Sequence, residues 1–337
     1  MIRRLLASAA AVALLMPIAA AAQSRPDGSA RGSASAAKAW TPPRTPDGQP
    51  DLQGVWTNST LTPLERPAEF AGKPFLTEAE VAVYEQQLAI QNNRDRRDGS
   101  ADVDVGRAYN DFWFERGTKV VPTRRSSLII DPPDGKVPPL TPEAQKQAAA
   151  RVEYRRLHPA DGPEDLGLPT RCLLWPVAGP PMLPGGYNNN YQIVQGPGYV
   201  MILVEMIHDA RIIPLDGRPH LPKNVRRWMG DSRGRWDGNT LVVETTNFTD
   251  KTNYRGSGEN LRLIERFTRT GPDQIMYEFT VDDPASFTRP WTAQLSMARI
   301  KGPIYEYACH EGNYGMEGIL SGARAEEKAA TLKRGSQ

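Results

Sequence analysis

The second half of the chain contains a series of short strand-like segments with no helical pattern between them, and this feature restricts the fold most strongly. The segments are mostly about six to ten residues long and rich in Val, Ile, Tyr, Phe and Thr. Turn residues such as Gly196-Pro-Gly198 and Asp237-Gly238 separate them. The predicted strands are residues 191–194, 199–206, 210–215, 240–248, 261–268, 275–282, 291–300 and 304–310. The pattern predicts a mainly β fold, an antiparallel β-barrel or sandwich.

The first half is expected to add a few peripheral helices and the remaining strands. Thr77-Glu-Ala-Glu80 is a capping box that predicts a helix to about residue 92, and Thr141 followed by Pro142 predicts another to about residue 156. Additional strands are expected at residues 54–57, 119–121 and 128–131.

The N-terminus has the pattern of a secretory signal. Arg3 and Arg4 precede an apolar run that ends in small residues at Ala22, so residues 1–22 are predicted to be a signal peptide cleaved near Ala22. Residues 23–45 lack large apolar side chains and are expected to be a disordered tether. A single mainly-β domain is expected over residues 46–325, with a flexible tail at 326–337. The predicted location is the periplasm or the outside of the cell.

The charge balance disfavours two classes of partner. The chain has 41 basic and 39 acidic residues, and loss of Arg3 and Arg4 with the signal leaves 39 of each. A formally neutral mature protein is not typical of nucleic-acid binding or of anionic membrane surfaces. No segment after the signal approaches roughly 18 uninterrupted apolar residues, so no membrane insertion is expected. The expected partner is a small-molecule substrate or ligand, and no sequence feature indicates an oligomeric state.

The two cysteines predict one disulfide bond. Cys172 and Cys309 are the only cysteines, and an oxidising compartment favours their pairing, with two buried free thiols as the alternative. Bridged Cα atoms lie about 5.5 Å apart. A bond would therefore bring Arg171 beside His310 and Glu311.

Histidines flanked by charged residues are the candidate catalytic groups. His208-Asp209, His220 and His310-Glu311 fall at predicted strand ends, where loops carry functional groups. Histidine titrates near neutral pH, so these residues suit general acid and base catalysis. No cofactor is expected, because short-range ligand pairs such as His-x-x-x-His are absent from the sequence. A divalent metal held by His208, His220 or His310 is the alternative.

Five residues are predicted to bind the substrate. Arg211 and Arg171 could clamp an anionic group, although Arg211 could equally form a structural ion pair. Trp113, Asn189 and Tyr191 lie in runs that combine aromatic rings with amides, which suits stacking and hydrogen bonding to a sugar or phenolic ring. The same rings could instead plug a barrel end.

Several predicted strands carry an acid near their middle. The residues are Glu205, Glu244, Glu265, Glu278 and Glu306. Cross-strand ion pairs on a solvent face are one interpretation, and a polar cavity lined by carboxylates is the other.

Residues 230–234, Gly-Asp-Ser-Arg-Gly, match the Gly-x-Ser-x-Gly motif of a hydrolase nucleophile elbow. That elbow needs a preceding strand and a following helix, whereas residues 235–248 read as a turn and a strand. The segment is therefore interpreted as a connection between strands.

Several longer motifs resemble a known family. They include Asp51-Leu-Gln-Gly-Val-Trp56, residues 124–128, 208–211, 230–236 and 244–248, and Tyr305-Glu-Tyr-Ala-Cys-His-Glu-Gly-Asn313. They resemble secreted proteins of Gram-negative bacteria that often occur as many paralogues and have no assigned activity. The resemblance implies an extracytoplasmic location and little about function. The Gly-x-Trp at residues 54–56 also resembles the first strand of lipocalin-like barrels, which implies only a fold.

The leading hypothesis from these features is a periplasmic acid/base enzyme of the lyase, isomerase or hydrolase type, acting on a small cyclic, aromatic or sugar-like substrate. The alternative is a lipocalin-like carrier that binds an apolar molecule without catalysis. A third hypothesis is an envelope-associated interaction module, which requires a broad exposed apolar patch.

Overall fold

The order of the strands in space shows that the chain forms a β-barrel. A computed structural model describes residues 40–107, 109–175, 178–252 and 254–335. The predicted signal peptide and most of the predicted tether lie outside these residues. Ten strands form one sheet with the order β5-β4-β3-β1-β10-β9-β8-β7-β6, and β2 pairs with β10 beside this path. The strands are β1 (Gly54–Thr57), β2 (Ile129–Asp131), β3 (Asn190–Gly196), β4 (Tyr199–Val204), β5 (Ala210–Pro214), β6 (Asp231–Asp237), β7 (Thr240–Thr246), β8 (Arg262–Gly271), β9 (Gln274–Asp282) and β10 (Trp291–Arg299).

The strands run up and down around the barrel in almost the order of the sequence. Tight turns join β3 to β4 and β6 to β7, as the Gly-containing turns predicted, and a third tight turn joins β8 to β9. We call this end of the barrel the hairpin end. At the opposite end, the loop end, long connections enter β3, β8 and β10, and it is there that functional side chains collect.

The barrel wall does not close through backbone hydrogen bonds. Its nine strands are joined by antiparallel pairs throughout, from β5 at one edge to β6 at the other. Alternation over an odd number of strands makes the two edge strands parallel to each other. Residues 215–230 must therefore return from the hairpin end to the loop end before β6 begins.

Side chains fill the seam between β5 and β6. Gly234 in β6 lies against Ile213 and Leu215, so close that a Cβ atom at residue 234 would come within 2.8 Å of the Ile213 side chain. Arg211 reaches from β5 to Ser232 of β6 at 3.4 Å. The wall is therefore nearly closed, with the seam held by side-chain packing.

Large side chains fill the interior of the barrel. Alternate residues of each strand point inwards, as a period of two requires. Trp56, Tyr191, Phe267, Phe279 and Trp291 are all at most 1 % exposed. The antiparallel barrel predicted from the sequence is confirmed, and its core is a packed one.

Helices lie outside the barrel. They are α1 (Glu78–Asn92), α2 (Ala101–Gly106), α3 (Pro142–Leu157) and α4 (Tyr314–Gly335). The capping box of Thr77 and Glu80 starts α1, and Thr141 caps α3, both as predicted. Within the described residues, no helix is long and apolar enough to cross a membrane.

Some predicted elements differ from the structure. Residues 304–310 and 119–121 are not strands, because their backbone groups bond to loops and side chains instead of to a neighbouring strand. Residues 230–234 were interpreted as a connection, but most of them belong to β6, which covers Asp231–Asp237. The boundary predicted at residue 325 falls inside α4, which continues to Gly335.

Candidate functional site

Two glutamates share one amide group at the loop end of the barrel. The Nδ2 atom of Asn190, the first residue of β3, donates to Oε2 of Glu205 at 2.6 Å and approaches Oε2 of Glu115 at 3.5 Å. Glu205 directly follows β4, whereas Glu115 comes from the long connection before β2. We call Glu115, Asn190 and Glu205 the carboxylate cluster.

Glu205 is the buried member of the carboxylate cluster. Its side chain is almost inaccessible, and the residue is 1 % exposed. Besides Asn190, the backbone N–H of Tyr305 donates to its Oε1 atom at 3.1 Å. Both partners are neutral donors, and a carboxylate held in this way keeps a fixed orientation.

Glu115 is the accessible member of the carboxylate cluster. Burial raises its pKa, the nearby charge of Glu205 adds to the increase, and hydrogen bonds from the backbone of Asn189 and the amide of Asn190 oppose it. Glu115 also lines a cleft of about 460 Å³ together with Phe114 and Arg116. A carboxyl group with a raised pKa beside a second carboxylate in a cleft is the arrangement typical of proton transfer.

His208 lies beside the cluster in a strained turn. The turn between β4 and β5 puts Ile207 at φ 64° and His208 at φ 41°, a region that a β-branched residue such as Ile rarely occupies. The Nδ1 atom of His208 accepts from the N–H of Tyr307 at 3.2 Å. His208 is exposed.

The left-handed residues Ile207 and His208 reverse the direction of the chain between β4 and β5. The side chains of Glu205 and His208 bind alternate N–H groups of one segment, those of Tyr305 and Tyr307. Asp209 follows in the chain. It is partly buried, and burial raises its pKa against the opposing effect of His208.

Aromatic side chains border the carboxylate cluster. Phe114 contacts Tyr187 at 6.5 Å between ring centroids, and Tyr187 contacts Trp175 at 6.3 Å. Burial raises the pKa of Tyr307 to about 12, and the neighbouring Tyr187 contributes. The raised pKa keeps the Tyr307 hydroxyl neutral beside Tyr187.

His220 lies on the outer wall of the barrel, away from the carboxylate cluster. Its Nδ1 atom is 3.0 Å from Oδ2 of Asp231, and its Nε2 atom is 3.4 Å from Oε1 of Glu244. The neighbouring Ser232 and Thr245 bond to each other in the interior, so Asp231 and Glu244 point outwards. His220 thus fastens the crossover segment 215–230 to β6 and β7.

The contact between His220 and Asp231 predicts a loss of stability in acid. Burial alone would raise the pKa of Asp231, but the N–H of Leu221, the ring of His220 and the guanidinium of Arg233 together lower it. A lowered pKa gives stability that is present above the unfolded value of about 3.9 and is lost as the pH falls through the folded value. We expect Asp231→Asn to lower the unfolding free energy at pH 7 by about 1–3 kcal/mol.

Denaturant unfolding between about pH 7 and pH 3 measures both effects. The loss in Asp231→Asn should shrink towards the acid end. Asp237→Asn, an exposed acid of the same strand, is the matched control and should follow the wild type. A constant difference between Asp231→Asn and wild type at every pH would contradict the assignment.

The predicted disulfide is present, but the side chains around it do not converge. Cys172 and Cys309 are bonded, with Cα atoms 5.7 Å apart. The Arg171 side chain turns to Glu164 at 2.9 Å. His310 and Glu311 follow the disulfide as exposed residues.

The predicted substrate-binding residues fall into two groups. Arg211 and Tyr191 are buried inside the barrel, where Arg211 pairs with Glu265 and Tyr191 accepts from Asn58. Asn189 is buried and donates to the backbone oxygen of Glu115 at 2.6 Å, so it positions the accessible carboxylate. Trp113 is 55 % exposed, near the cleft.

The three candidate histidines are therefore distributed over three places. His208 lies at the carboxylate cluster, His220 on the outer wall and His310 after the disulfide. Among the described residues, no group of three or more His, Cys, Asp or Glu side chains is arranged to hold a metal ion. Comparison with models of protein families and with curated protein sequences finds no match to this chain.

No local sequence pattern marks Glu115 as a candidate. It follows the aromatic run of Phe112 to Phe114 and has no spacing relation to Asn190 or Glu205. The contacts that distinguish it span 74 residues or more of the chain. Only the fold brings them together.

Proposed function

We propose that the protein is an extracytoplasmic acid/base enzyme whose proton-transfer group is Glu115. The observation that carries the proposal is the shared amide of Asn190, which holds a raised-pKa carboxyl in a cleft beside a buried carboxylate. A carboxyl group whose pKa is raised by burial and by a neighbouring carboxylate is suited to donate a proton.

The remaining residues fit supporting roles in this proposal. Asn189 and Asn190 position Glu115. The exposed His208 binds the N–H of Tyr307, two residues along from the Tyr305 N–H that binds Glu205. The aromatic border suits a small cyclic, aromatic or sugar-like substrate. Elimination, isomerisation and hydrolysis all need such a proton donor, and each remains within the proposal.

Two features support an extracytoplasmic location. The disulfide bond fits an oxidising compartment, and residues 1–22 have the pattern of a signal peptide that directs the chain to the periplasm or beyond. Resemblance to secreted proteins of Gram-negative bacteria agrees with this assignment.

The carrier alternative receives less support from the fold. A lipocalin-like carrier requires a large apolar cavity inside the barrel. Here the interior is occupied by side chains such as Trp56, Phe279 and Trp291, and by the buried pair of Arg211 and Glu265. The packing favours a site at the loop end.

The test uses Glu115→Gln, which keeps the shape of the side chain and removes its titration. We expect turnover of a panel of p-nitrophenyl glycosides and esters to fall by about 10²–10⁴-fold. Wild-type turnover should decline as the pH rises through the raised pKa of Glu115, because the donor form is lost. Glu278→Gln, a partly buried acid on the outer wall of β9, is the matched control and should keep full turnover.

Release of nitrophenol by Glu115→Gln at the wild-type rate would overturn the assignment of Glu115. Absence of turnover by the wild type on the whole panel would remove hydrolysis of these glycosides and esters from the proposal. In that case the same two variants would be compared with cyclic substrates of elimination and isomerisation.

A further inference from the structure

Two cavities lie next to each other along α3. Their volumes are about 470 Å³ and 510 Å³, and each is of the size that takes a small ligand. Arg151 and Asp250 line both cavities, so the two meet at these residues. Among the described residues, neither cavity has a lining residue in common with the cleft at Glu115. The two cavities are therefore a separate candidate binding site.

Negative charge predominates in the first cavity, which we call the acidic cavity. Its charged lining residues are one cation, Arg151, and four carboxylates, Glu143, Asp250, Glu259 and Asp283. Within the described part of the chain, only Glu259 of these four has a cation partner, which is Arg226. The other three carboxylates leave negative charge that a ligand can neutralise.

Buried polar groups of the acidic cavity add to this preference. Asp283 is 2 % exposed, and its carboxylate accepts from the N–H of Ala285 and from the N–H and hydroxyl of Ser286, all neutral donors. Ser257 also lines the acidic cavity and is 1 % exposed, and its Oγ atom has no hydrogen-bond partner among the described residues. A ligand group with positive charge and several N–H donors, such as an ammonium group, fits this end.

The second cavity, which we call the basic cavity, contains unpaired arginines. Its charged lining residues are four cations, Arg151, Arg155, Arg171 and Lys251, and three carboxylates, Glu164, Asp165 and Asp250. Glu164 pairs with both Arg171 and Lys251, and Asp165 accepts from the hydroxyl of Tyr154. Arg151 and Arg155 have neither a carboxylate partner nor a side-chain hydrogen bond within the described residues. Two free guanidinium groups favour a carboxylate, which guanidinium can bind through two parallel hydrogen bonds.

The charge changes sign along one face of α3. Glu143, Arg151 and Arg155 are spaced by multiples of four residues and share that face. Acids near the start of a helix and bases near its end complement the helix dipole. The rest of the lining has the same polarity, however, with Asp283 in the acidic cavity and Lys251 in the basic one, and the dipole of α3 does not account for those residues.

The length of this face sets the length of the ligand. Residues 143 and 155 are separated by twelve positions of α3, which is about 18 Å at about 1.5 Å per residue. An extended chain covers about 3.3 Å per residue, so about five residues of a peptide span the same distance. A free amino acid is too short to reach from one end to the other.

We propose that the two cavities bind one short peptide with free termini, its ammonium group in the acidic cavity and its carboxylate at Arg151 and Arg155. Unpaired charges of opposite sign at the two ends select a zwitterion over a simple anion or cation. Leu166, Leu168 and Pro169 line the basic cavity and offer apolar contact to the side chains of the peptide. The site goes beyond the proposed function and does not depend on it.

The experiment titrates the wild-type protein by calorimetry with pentaalanine, with its N-acetylated form and with its C-amidated form. We expect free pentaalanine to bind and each blocked form to bind about tenfold more weakly or worse, because each lacks one charged end. These three titrations use the unaltered protein, so the folding of a variant does not enter the result.

Variants then assign each end of the peptide. Arg151→Gln/Arg155→Gln should weaken the binding of free pentaalanine by about tenfold or more and should remove the difference between the free and amidated peptides. Asp250→Asn should reduce the difference between the free and acetylated peptides. Arg156→Gln breaks a pair with Glu153 on the same helix and lines neither cavity, so it is the matched control, with unchanged affinity. Glu115→Gln should also bind as the wild type does, which separates this site from the proposed function.

Three results would overturn the peptide site. The first is failure of pentaalanine to bind. The second is equal affinity for the free, acetylated and amidated peptides, because the charged ends would then take no part. The third is displacement of the peptide by an equal concentration of inorganic phosphate or putrescine, which would assign the cavities to separate small ions.

Discussion

Replacing Arg211 by alanine is expected to lower the free energy of unfolding by about 3–5 kcal/mol. The side chains of Arg211 and Glu265 are 2 % and 0 % exposed, and Nη1 of Arg211 donates to Oε1 of Glu265 at 3.1 Å inside the barrel. The hydroxyl of Tyr277 donates to the same oxygen at 2.8 Å. Loss of the guanidinium would leave Glu265 buried without its counter-charge.

Two comparisons make the Arg211 experiment decisive. The double variant Arg211→Met/Glu265→Leu removes both charges and should recover most of the loss, because the desolvation cost of the pair disappears with its attraction. Arg262→Ala breaks a surface pair with Glu244 and should cost at most about 1 kcal/mol. Chemical denaturation of the four proteins gives the values. An Arg211→Ala variant within about 1 kcal/mol of wild type would show that the pair is not required.

Removing the disulfide is expected to have the second large effect on stability. Cys172 and Cys309 are separated by 137 residues, and closing so long a loop restricts the unfolded chain strongly. The chain-entropy estimate for a loop of this size is about 4–5 kcal/mol. We expect Cys172→Ala/Cys309→Ala to lose stability of this order in denaturant unfolding.

The disulfide also holds the segment that binds the carboxylate cluster. Tyr305 and Tyr307, which donate their N–H groups to Glu205 and His208, lie just before Cys309. Dithiothreitol should destabilise the wild type to the level of the double variant and leave that variant unchanged. His310→Ala changes the residue next to Cys309 and leaves the disulfide in place. It is the control and should keep wild-type stability. A variant as stable as the oxidised wild type would contradict this role.

Local sequence patterns were sufficient to predict an antiparallel barrel or sandwich. The two Gly-containing turns, most of the strands and the helix caps at Thr77 and Thr141 depend on neighbours in the chain, and the structure has them. β6 was missed because it is a polar edge strand with Gly234 at its centre, so its strand-forming preference is weak. Residues 304–310 alternate as a strand would, but two of their N–H groups are taken by side chains of another connection.

The site was less predictable than the fold. Three histidines were predicted to be catalytic because histidine titrates near neutral pH. Of these three, only His208 lies at the carboxylate cluster. The sequence left two interpretations of Arg211, a clamp for an anionic substrate group and a structural ion pair. Its partner Glu265 lies in β8, and no local pattern connects that strand to β5. The raised pKa of Glu115 arises from burial and from Glu205, both of which are consequences of tertiary structure.

The odd number of strands has a mechanical consequence. Eight of the nine junctions in the wall are ladders of backbone hydrogen bonds that must break together under load, whereas the junction of β5 and β6 depends on interlocked side chains. A force that widens the barrel would therefore separate β5 from β6 first. Arg211 bridges this junction from the inner side, and on the outer side His220 ties the crossover segment to β6 and β7.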